Sequence, residues 1–235
     1  MEWWKFLVLI VGSYLIGNIF FARIISRAKR YDISKSGSGN PGTMNMLRNL
    51  GLVVGLLTLV LDMLKGIIPT LVGFYLFGGP EAGNTAYIGA FTAGLSVLVG
   101  NIFPVFYRFK GGKGAAVTYG MFCAVQPILG VVIFFAGIVY LLIFDYASLL
   151  SFLMITTFTI YEASTLGLIS GEGNIVLSCL LFAIFCLVFF AHRQNIFRLL
   201  VGKENGINFK GKLKDFKDKR LSKSKKEELK QKEIG

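Results

Sequence analysis

The sequence predicts an all-α, polytopic membrane protein with seven transmembrane or half-membrane helices, N-terminus outside and C-terminus cytoplasmic. Three observations predict it. Of 235 residues, 54% are hydrophobic and only 16% charged, where soluble proteins carry roughly 25% charged residues. The apolar residues gather into runs near the ~20 residues that span a hydrocarbon core. The 25 Lys and Arg residues gather between those runs. This excludes a disordered chain, a disulfide scaffold and an ordinary soluble domain. The net charge of +12 fits the cytoplasmic face of a bilayer better than nucleic acid in so apolar a chain.

The first segment runs from Trp4 to Ala22, with Trp3 and Trp4 as interfacial anchors. Its length and polar flanks argue against a cleaved signal peptide. The second covers Leu52–Phe77 and the third Thr85–Gly100. Ala115–Gln126 and Ile128–Phe144 follow, separated by Pro127. The last two are Ser148–Ile169 and Asn174–Ala191.

Pro127 leaves two readings, one kinked helix or two segments. Charge decides between them. Lys and Arg number six in 23–48, three in 108–113 and 14 from Arg193 onward. The positive-inside rule puts all three blocks on the cytoplasmic side. An even number of passes then separates Lys113 from Arg193, which requires two segments. The fourth is short, ~18 Å for twelve residues, and starts at a polar Gly-Gly-Lys-Gly stretch. Residues 1–202 form the membrane domain. Residues 203–235, with 12 basic and six acidic residues, form a basic cytoplasmic tail, either a mixed-charge helix or disordered, beside anionic headgroups.

Cys123, Cys179 and Cys186 all lie in apolar runs without metal-ligand spacing, and read as buried small hydrophobes. A single histidine, His192, excludes multi-His metal sites. Gly51 and Gly55 form a GxxxG pattern that ordinary helix packing explains. Asp62 and Lys65, three apart in the second segment, read as an ion pair that fixes helix packing. Glu162 has no partner in the pattern, and is either protonated or near the outer end of its segment.

Three polar stretches carry the chemistry. In the first, Lys35–Arg48, Gly37, Gly39 and Gly42 let backbone amides turn toward a ligand. Ser38, Asn40 and Asn45 add short hydrogen-bonding side chains, and Arg48 adds a planar fork for phosphate. The second, Gly100–Gly114, ends in Lys110, Gly111, Gly112, Lys113 and Gly114 at the start of the fourth segment. Amides at a helix start and two lysines suit an anion. It is not a Walker A loop, because no Ser or Thr follows Lys113. In the third, Ala191–Glu204, His192, Asn195 and Arg198 or Leu199 share one helical face, and Glu204 follows a helix-stopping Gly202. Together they describe phosphate-cradling elements at the membrane's inner surface beside apolar helices. There is no cysteine nucleophile among them, no metal cluster and no nucleotide loop.

These stretches resemble the three signature motifs of the PlsY family, the bacterial acyl-phosphate:glycerol-3-phosphate acyltransferases. Ser38, Gly39, Asn40, Gly42, Asn45 and Arg48 match the first motif. Gly100, Phe103, Pro104, Phe106, Phe109 and Lys110 through Gly114 match the second. His192, Arg193, Asn195, Ile196, Arg198, Leu199, Gly202 and Glu204 match the third. Asp62-x-x-Lys65-Gly66 is also similar to the family. One departure is Asn101, where the family usually has His; Asn hydrogen-bonds but does not become cationic. Asn18 and Phe20 also depart from the family's first helix.

The resemblance implies acyl transfer from a fatty acyl-phosphate to the 1-hydroxyl of glycerol 3-phosphate at the bacterial cytoplasmic membrane. The products are lysophosphatidic acid and phosphate. It implies no cofactor and no metal. The partners are membrane lipid and the enzyme that makes the acyl-phosphate, with no nucleic acid. Ser38, Arg48, Lys113, His192, Asn195 and Glu204 become candidate catalytic residues. Gly39, Asn40, Gly42, Asn45, Asn101, Lys110, Gly111, Gly112, Gly114 and Arg198 become candidate substrate-binding residues. Glu204 reads as a holder of the third motif rather than a base. The competing readings are a non-catalytic paralogue and a phosphate-ester or lipid transporter.

Overall fold

The computed structural model describes residues 3–171 and 173–234, with side chains described to residue 222. The described residues form eleven α-helices joined by short turns and no strands. They are α1 (Trp3–Gly17), α2 (Phe21–Ala28), α3 (Thr43–Leu50), α4 (Leu52–Leu76), α5 (Asn84–Ile102), α6 (Ala115–Val125), α7 (Pro127–Phe144), α8 (Ala147–Thr165), α9 (Ile175–Ala191), α10 (Arg193–Leu200) and α11 (Phe209–Ile234).

Six of the seven expected segments coincide with a helix, and the first, Trp4–Ala22, runs past the end of α1 at Gly17 into α2. Five stretches are long and apolar enough to cross a membrane: α1 continued by α2, then α4, α5, α7 and α8. The pair α9–α10, bent by 58°, makes a sixth if counted as one. With eleven residues α6 is shorter than a span, ~17 Å at 1.5 Å per residue. The break at Gln126–Pro127 is sharp. Tyr119 Oη donates to the carbonyl of Gly130, 2.6 Å away, although eleven residues of straight helix would hold their backbones ~16 Å apart. So α7 folds back along α6, and the two are separate segments. Pro127 opens α7, where its missing N–H costs nothing.

The outer faces are apolar. Val53, Leu57, Val60 and Ile68 of α4, and Val131, Phe135 and Val139 of α7, are all exposed. Aliphatic surface on this scale is the face a helix turns to lipid. The interior is built on close helix crossings through small residues. A Cβ at Gly17 would meet the backbone of Val97 and Gly100, and one at Gly100 the carbonyl of Tyr14, so α1 and α5 touch. Gly66 and Gly120 do the same for α4 and α6, and Gly73 and Gly89 for α4 and α5. Gly55 packs on Leu47 at an α3–α4 contact, while Gly51 is the open turn between those helices.

One expectation is corrected. Cys179 and Cys186 are exposed, because α9 turns their positions outward, and Cys123 on α6 is half-buried. They do not pack as buried thiols. The third polar stretch keeps its face on α10, where His192 is the cap and Asn195 and Arg198 both reach Glu204, but the chain bends at His192 between α9 and α10. The tail's start is also not detached. Ile207 is buried with Leu47, Leu141 and Ala147, and α11 begins at Phe209 on that cluster.

The Asp62–Lys65 ion pair forms, with Nζ 3.6 Å from Oδ1. Lys65 does more than pair. Its ammonium also reaches the carbonyl of Ile19 at 2.8 Å and that of Gly17 at 3.4 Å. These lie where α1 ends, and carbonyls orphaned at a helix end attract a cation. Glu162 is fully buried, and neither of its oxygens has a hydrogen-bond partner.

Candidate functional site

The three polar stretches meet at one end of the helix bundle. The first is knitted by Asn45, which is buried on α3. Its Nδ2 donates to the carbonyls of Ser36 (3.0 Å) and Ile33 (3.3 Å), and its Oδ1 accepts from the amide of Ser38 (3.2 Å). Gly37 and Gly39 take left-handed backbone angles there. All the polar atoms of Asn45 are thus engaged by the loop they shape, and Ser38 and Asn40 are presented to a cleft.

The second stretch is laid over the inner end of α5. The amide of Gly112 donates to the carbonyl of Asn101 at 2.9 Å. A side chain at Gly111 would strike that carbonyl and the carbonyl of Ile102, so only glycine lets the loop lie this close. Gly114, at φ +79°, precedes α6 and aims the helix start into the cleft. Lys113 crosses to the third stretch and donates through Nζ to Asn195 Oδ1. Burial lowers the pKa of Lys113 to about 8. The nearby Arg198 and Arg48 add to the shift, and Glu204 opposes it.

The third stretch is organised by Glu204, whose side chain is 4% exposed. Its Oε1 accepts from Asn195 Nδ2 at 2.7 Å and from Ser148 Oγ at 3.0 Å, and its Oε2 accepts from Arg198 Nε at 3.1 Å. Gly202 stops α10 at φ +66°. The amide of Gly202 bonds back to Leu199, and that of Lys203 to Arg198. The reversal returns Glu204 to the helix it follows. His192 is buried, with Nδ1 2.9 Å from the carbonyl of Val188. A carbonyl only accepts, so the proton sits on Nδ1 and leaves the Nε2 lone pair of the neutral ring available.

Arg48 projects from α3 and donates through Nη2 to the carbonyl of Asn205 at 2.9 Å and through Nε to that of Gly206 at 3.2 Å. The first stretch is therefore tied to the chain that follows the third. Asp145, in the turn between α7 and α8, accepts from the amides of Asn208 (2.7 Å) and Phe209 (2.8 Å) and caps the start of α11.

These elements enclose a cleft of about 450 Å³. Its polar end is lined by Ser38, Asn40, Gly42, Asn45, Arg48, Asn101, Gly112, Lys113, Gly114, His192, Asn195 and Glu204. Its apolar wall comes from α4 (Leu52, Leu56, Leu59), α7 (Ile133, Phe134, Ile138, Leu141) and α8 (Leu150, Met154). Four predicted residues stand off it. Gly39 turns the first loop and Gly111 seats the second. Lys110 is exposed, and its carbonyl takes Arg23 Nη2 at 3.2 Å. Arg198 backs Glu204 from outside. Sequence reasoning missed Ser148 and Asp145. Asp145, a lone acid at the end of an apolar run, was a visible signal; nothing local marks Ser148.

Such an arrangement can hold a phosphate on Lys113 and backbone amides, with a hydrocarbon chain along the wall. A family model described as glycerol-3-phosphate acyltransferase matches residues 7–202. A glycerol-3-phosphate acyltransferase of Thermoanaerobacter pseudethanolicus is 37% identical over 86% of this chain and 96% of its own. One of Aquifex aeolicus is 37% identical over 86% of this chain and 98% of its own. The crystal structure of PlsY (YgiH), an integral membrane glycerol 3-phosphate acyltransferase in its glycerol 3-phosphate form, superposes with a TM-score of 0.73. It has 32% identity over 86% of this chain and 95% of that one.

Proposed function

The chain belongs to the glycerol-3-phosphate acyltransferase family, and we propose that this acyltransferase takes its acyl group from a fatty acyl-phosphate. In this reading the 1-hydroxyl oxygen of glycerol 3-phosphate attacks the acyl carbonyl carbon. The bond from that carbon to the phosphate oxygen breaks. Lysophosphatidic acid forms, and phosphate leaves carrying the hydroxyl proton.

The observation that carries the reading is the cleft itself, with a cationic, amide-lined end continuous with an apolar wall. An acyl-phosphate has the same two-part chemistry. Acyl-phosphate is already activated, so positioning and charge stabilisation do most of the work. The amides of Lys113, Gly114 and the first turn of α6 hold one phosphate together with the Lys113 ammonium, while the Gly112 amide anchors the loop to Asn101. Arg48, Lys113, His192 and Asn195 orient the other phosphate and the glycerol, and Ser38 hydrogen-bonds a substrate oxygen. Glu204, fully engaged with Asn195, Ser148 and Arg198, positions the third stretch. The neutral His192 offers Nε2 as an acceptor for the attacking hydroxyl, while the departing phosphate is the final proton acceptor.

The site is assigned to the cytoplasmic side of a bacterial inner membrane, crossed seven times if α6 counts as a half-span. The three basic blocks support this. A donor that is itself a lipid reaches the site through the bilayer or from the enzyme that makes it.

The test uses purified protein in detergent with palmitoyl-phosphate and glycerol 3-phosphate. Phosphate and lysophosphatidic acid should appear in equal amounts. Neither should appear with acyl-CoA, and Lys113→Ala should abolish both. Folded protein that binds glycerol 3-phosphate and makes neither product would overturn the reading.

A further inference from the structure

The matched family region ends at residue 202, yet the cleft is completed by residues beyond it. Phe209 and Leu213, one turn apart on α11, line the same cavity as Arg48 and Lys113. Both are half-buried, whereas Leu221 further along the helix is 69% exposed. Phe209 packs against the cluster of Leu47, Leu141 and Ile207, and α11 touches both α4 and α7. Those two helices supply the apolar wall.

This placement is enforced by more than apolar contact. Asp145 caps the first amides of α11 through both carboxylate oxygens, and its carbonyl accepts from Ile207 at 3.1 Å. Arg48 grips the carbonyls of Asn205 and Gly206. The strap 204–208 is therefore held from two site elements distant in sequence, and it delivers Phe209 and Leu213 to the cleft.

We propose that Phe209 and Leu213 form an acyl-donor specificity wall, contacting the hydrocarbon chain where it leaves the phosphate end of the cleft. The proposal rests on the acyltransferase reading above and adds its donor-selecting surface. Both side chains are purely apolar, so their partner is the chain and not either phosphate. Phe209 packs beside Leu47, the neighbour of Arg48 in sequence, and α11 touches α4 and α7, the helices of the apolar wall.

The experiment compares wild-type protein, Phe209→Ala/Leu213→Ala, and a chain ending at Asn208. Each is given palmitoyl-phosphate and lauroyl-phosphate at several concentrations of glycerol 3-phosphate. The ratio of kcat/KM for the two donors should change by about tenfold in both variants, since methylene-scale discrimination in an apolar site is of this size. KM for glycerol 3-phosphate should stay at the wild-type value. A variant that is only loosened in structure would lose rate with both donors equally and leave the ratio alone. An unchanged ratio in the double variant, with wild-type turnover intact, overturns the wall. So does a change confined to KM for glycerol 3-phosphate. No lysophosphatidic acid from wild-type protein with either donor overturns the acyltransferase reading and the wall with it.

Discussion

Lys65 and Asn101 are joined inside the bundle by a hydrogen bond of 2.7 Å, from Nζ to Oδ1. The bond links α4 to α5, and through the Asn101 carbonyl it continues to Gly112 of the phosphate-facing loop. A residue expected to touch substrate thus has its side-chain oxygen committed to a buried cation. The same ammonium holds the end of α1 through Gly17 and Ile19. Asn101→Leu removes one acceptor from a buried charge, a loss of about 1–3 kcal/mol. Thermal unfolding in detergent should show that destabilisation. Asn101→His restores the family's usual residue and can still accept through one ring nitrogen, so it should unfold close to wild type. A leucine variant as stable as wild type would show that the Lys65–Asn101 bond carries no stability.

Lys113 sets an alkaline limit on activity. Burial and the neighbouring arginines bring its pKa down to about 8. The cationic form, which attracts phosphate, is full below that value and is lost as pH rises through it. The pH profile of kcat/KM reports the free enzyme. That parameter for glycerol 3-phosphate should fall above about pH 8, approaching tenfold per unit. In Lys113→Arg, whose guanidinium stays charged, the alkaline limb should vanish even if the rate is lower. A limb that persists unchanged in the arginine variant would assign it to another group.

Glu204 separates a positioning role from a base. Glu204→Gln keeps the shape but leaves Arg198 without its ion partner and weakens the bond to Asn195. The carboxylate also raises the Lys113 pKa, so its removal should move the alkaline limb to lower pH. Binding of glycerol 3-phosphate should weaken by about 1–3 kcal/mol, the scale of a buried charge-assisted bond. This would appear chiefly in KM. Loss of kcat alone, with KM and the pH limb untouched, would make Glu204 the base.

Much of this was legible in the sequence because the bilayer simplifies the code. Apolar runs and basic blocks located every long apolar helix, though not the charged α11, and the parity of passes between Lys113 and Arg193 required the break at Pro127. The bend at His192 was not legible, since no proline or glycine marks it and polar residues alone do not show whether a helix stops or turns. Nor was the fate of individual polar side chains. Asn45 and Lys113 look equally suited to phosphate in a motif, yet Asn45 is consumed by its own loop while Lys113 spans two stretches. That distinction depends on contacts 82 residues apart. The outward cysteines of α9 were misplaced for a related reason: in a membrane helix, apolar composition does not say which face meets protein.

The sidedness of the site yields the remaining prediction. Lys113 meets Asn195, so the chain from α6 through α9 leaves and returns to one end of the bundle. The turn containing Asp145 lies at that same end, since it caps α11 beside the cleft. The turn between α8 and α9 is therefore at the opposite end. Ser170 in that turn and Ser222 on α11 are both exposed. Single cysteines at these two positions, with Cys123, Cys179 and Cys186 replaced by Ala, give opposite reporters. In intact cells stripped of any outer membrane, an impermeant maleimide should label Ser170→Cys directly. It should label Ser222→Cys only after permeabilisation, because the basic blocks hold the site end inside. The reverse pattern would place the site outside and remove the positive-inside argument. Equal labelling of both before permeabilisation would contradict the four-segment path between Lys113 and Asn195.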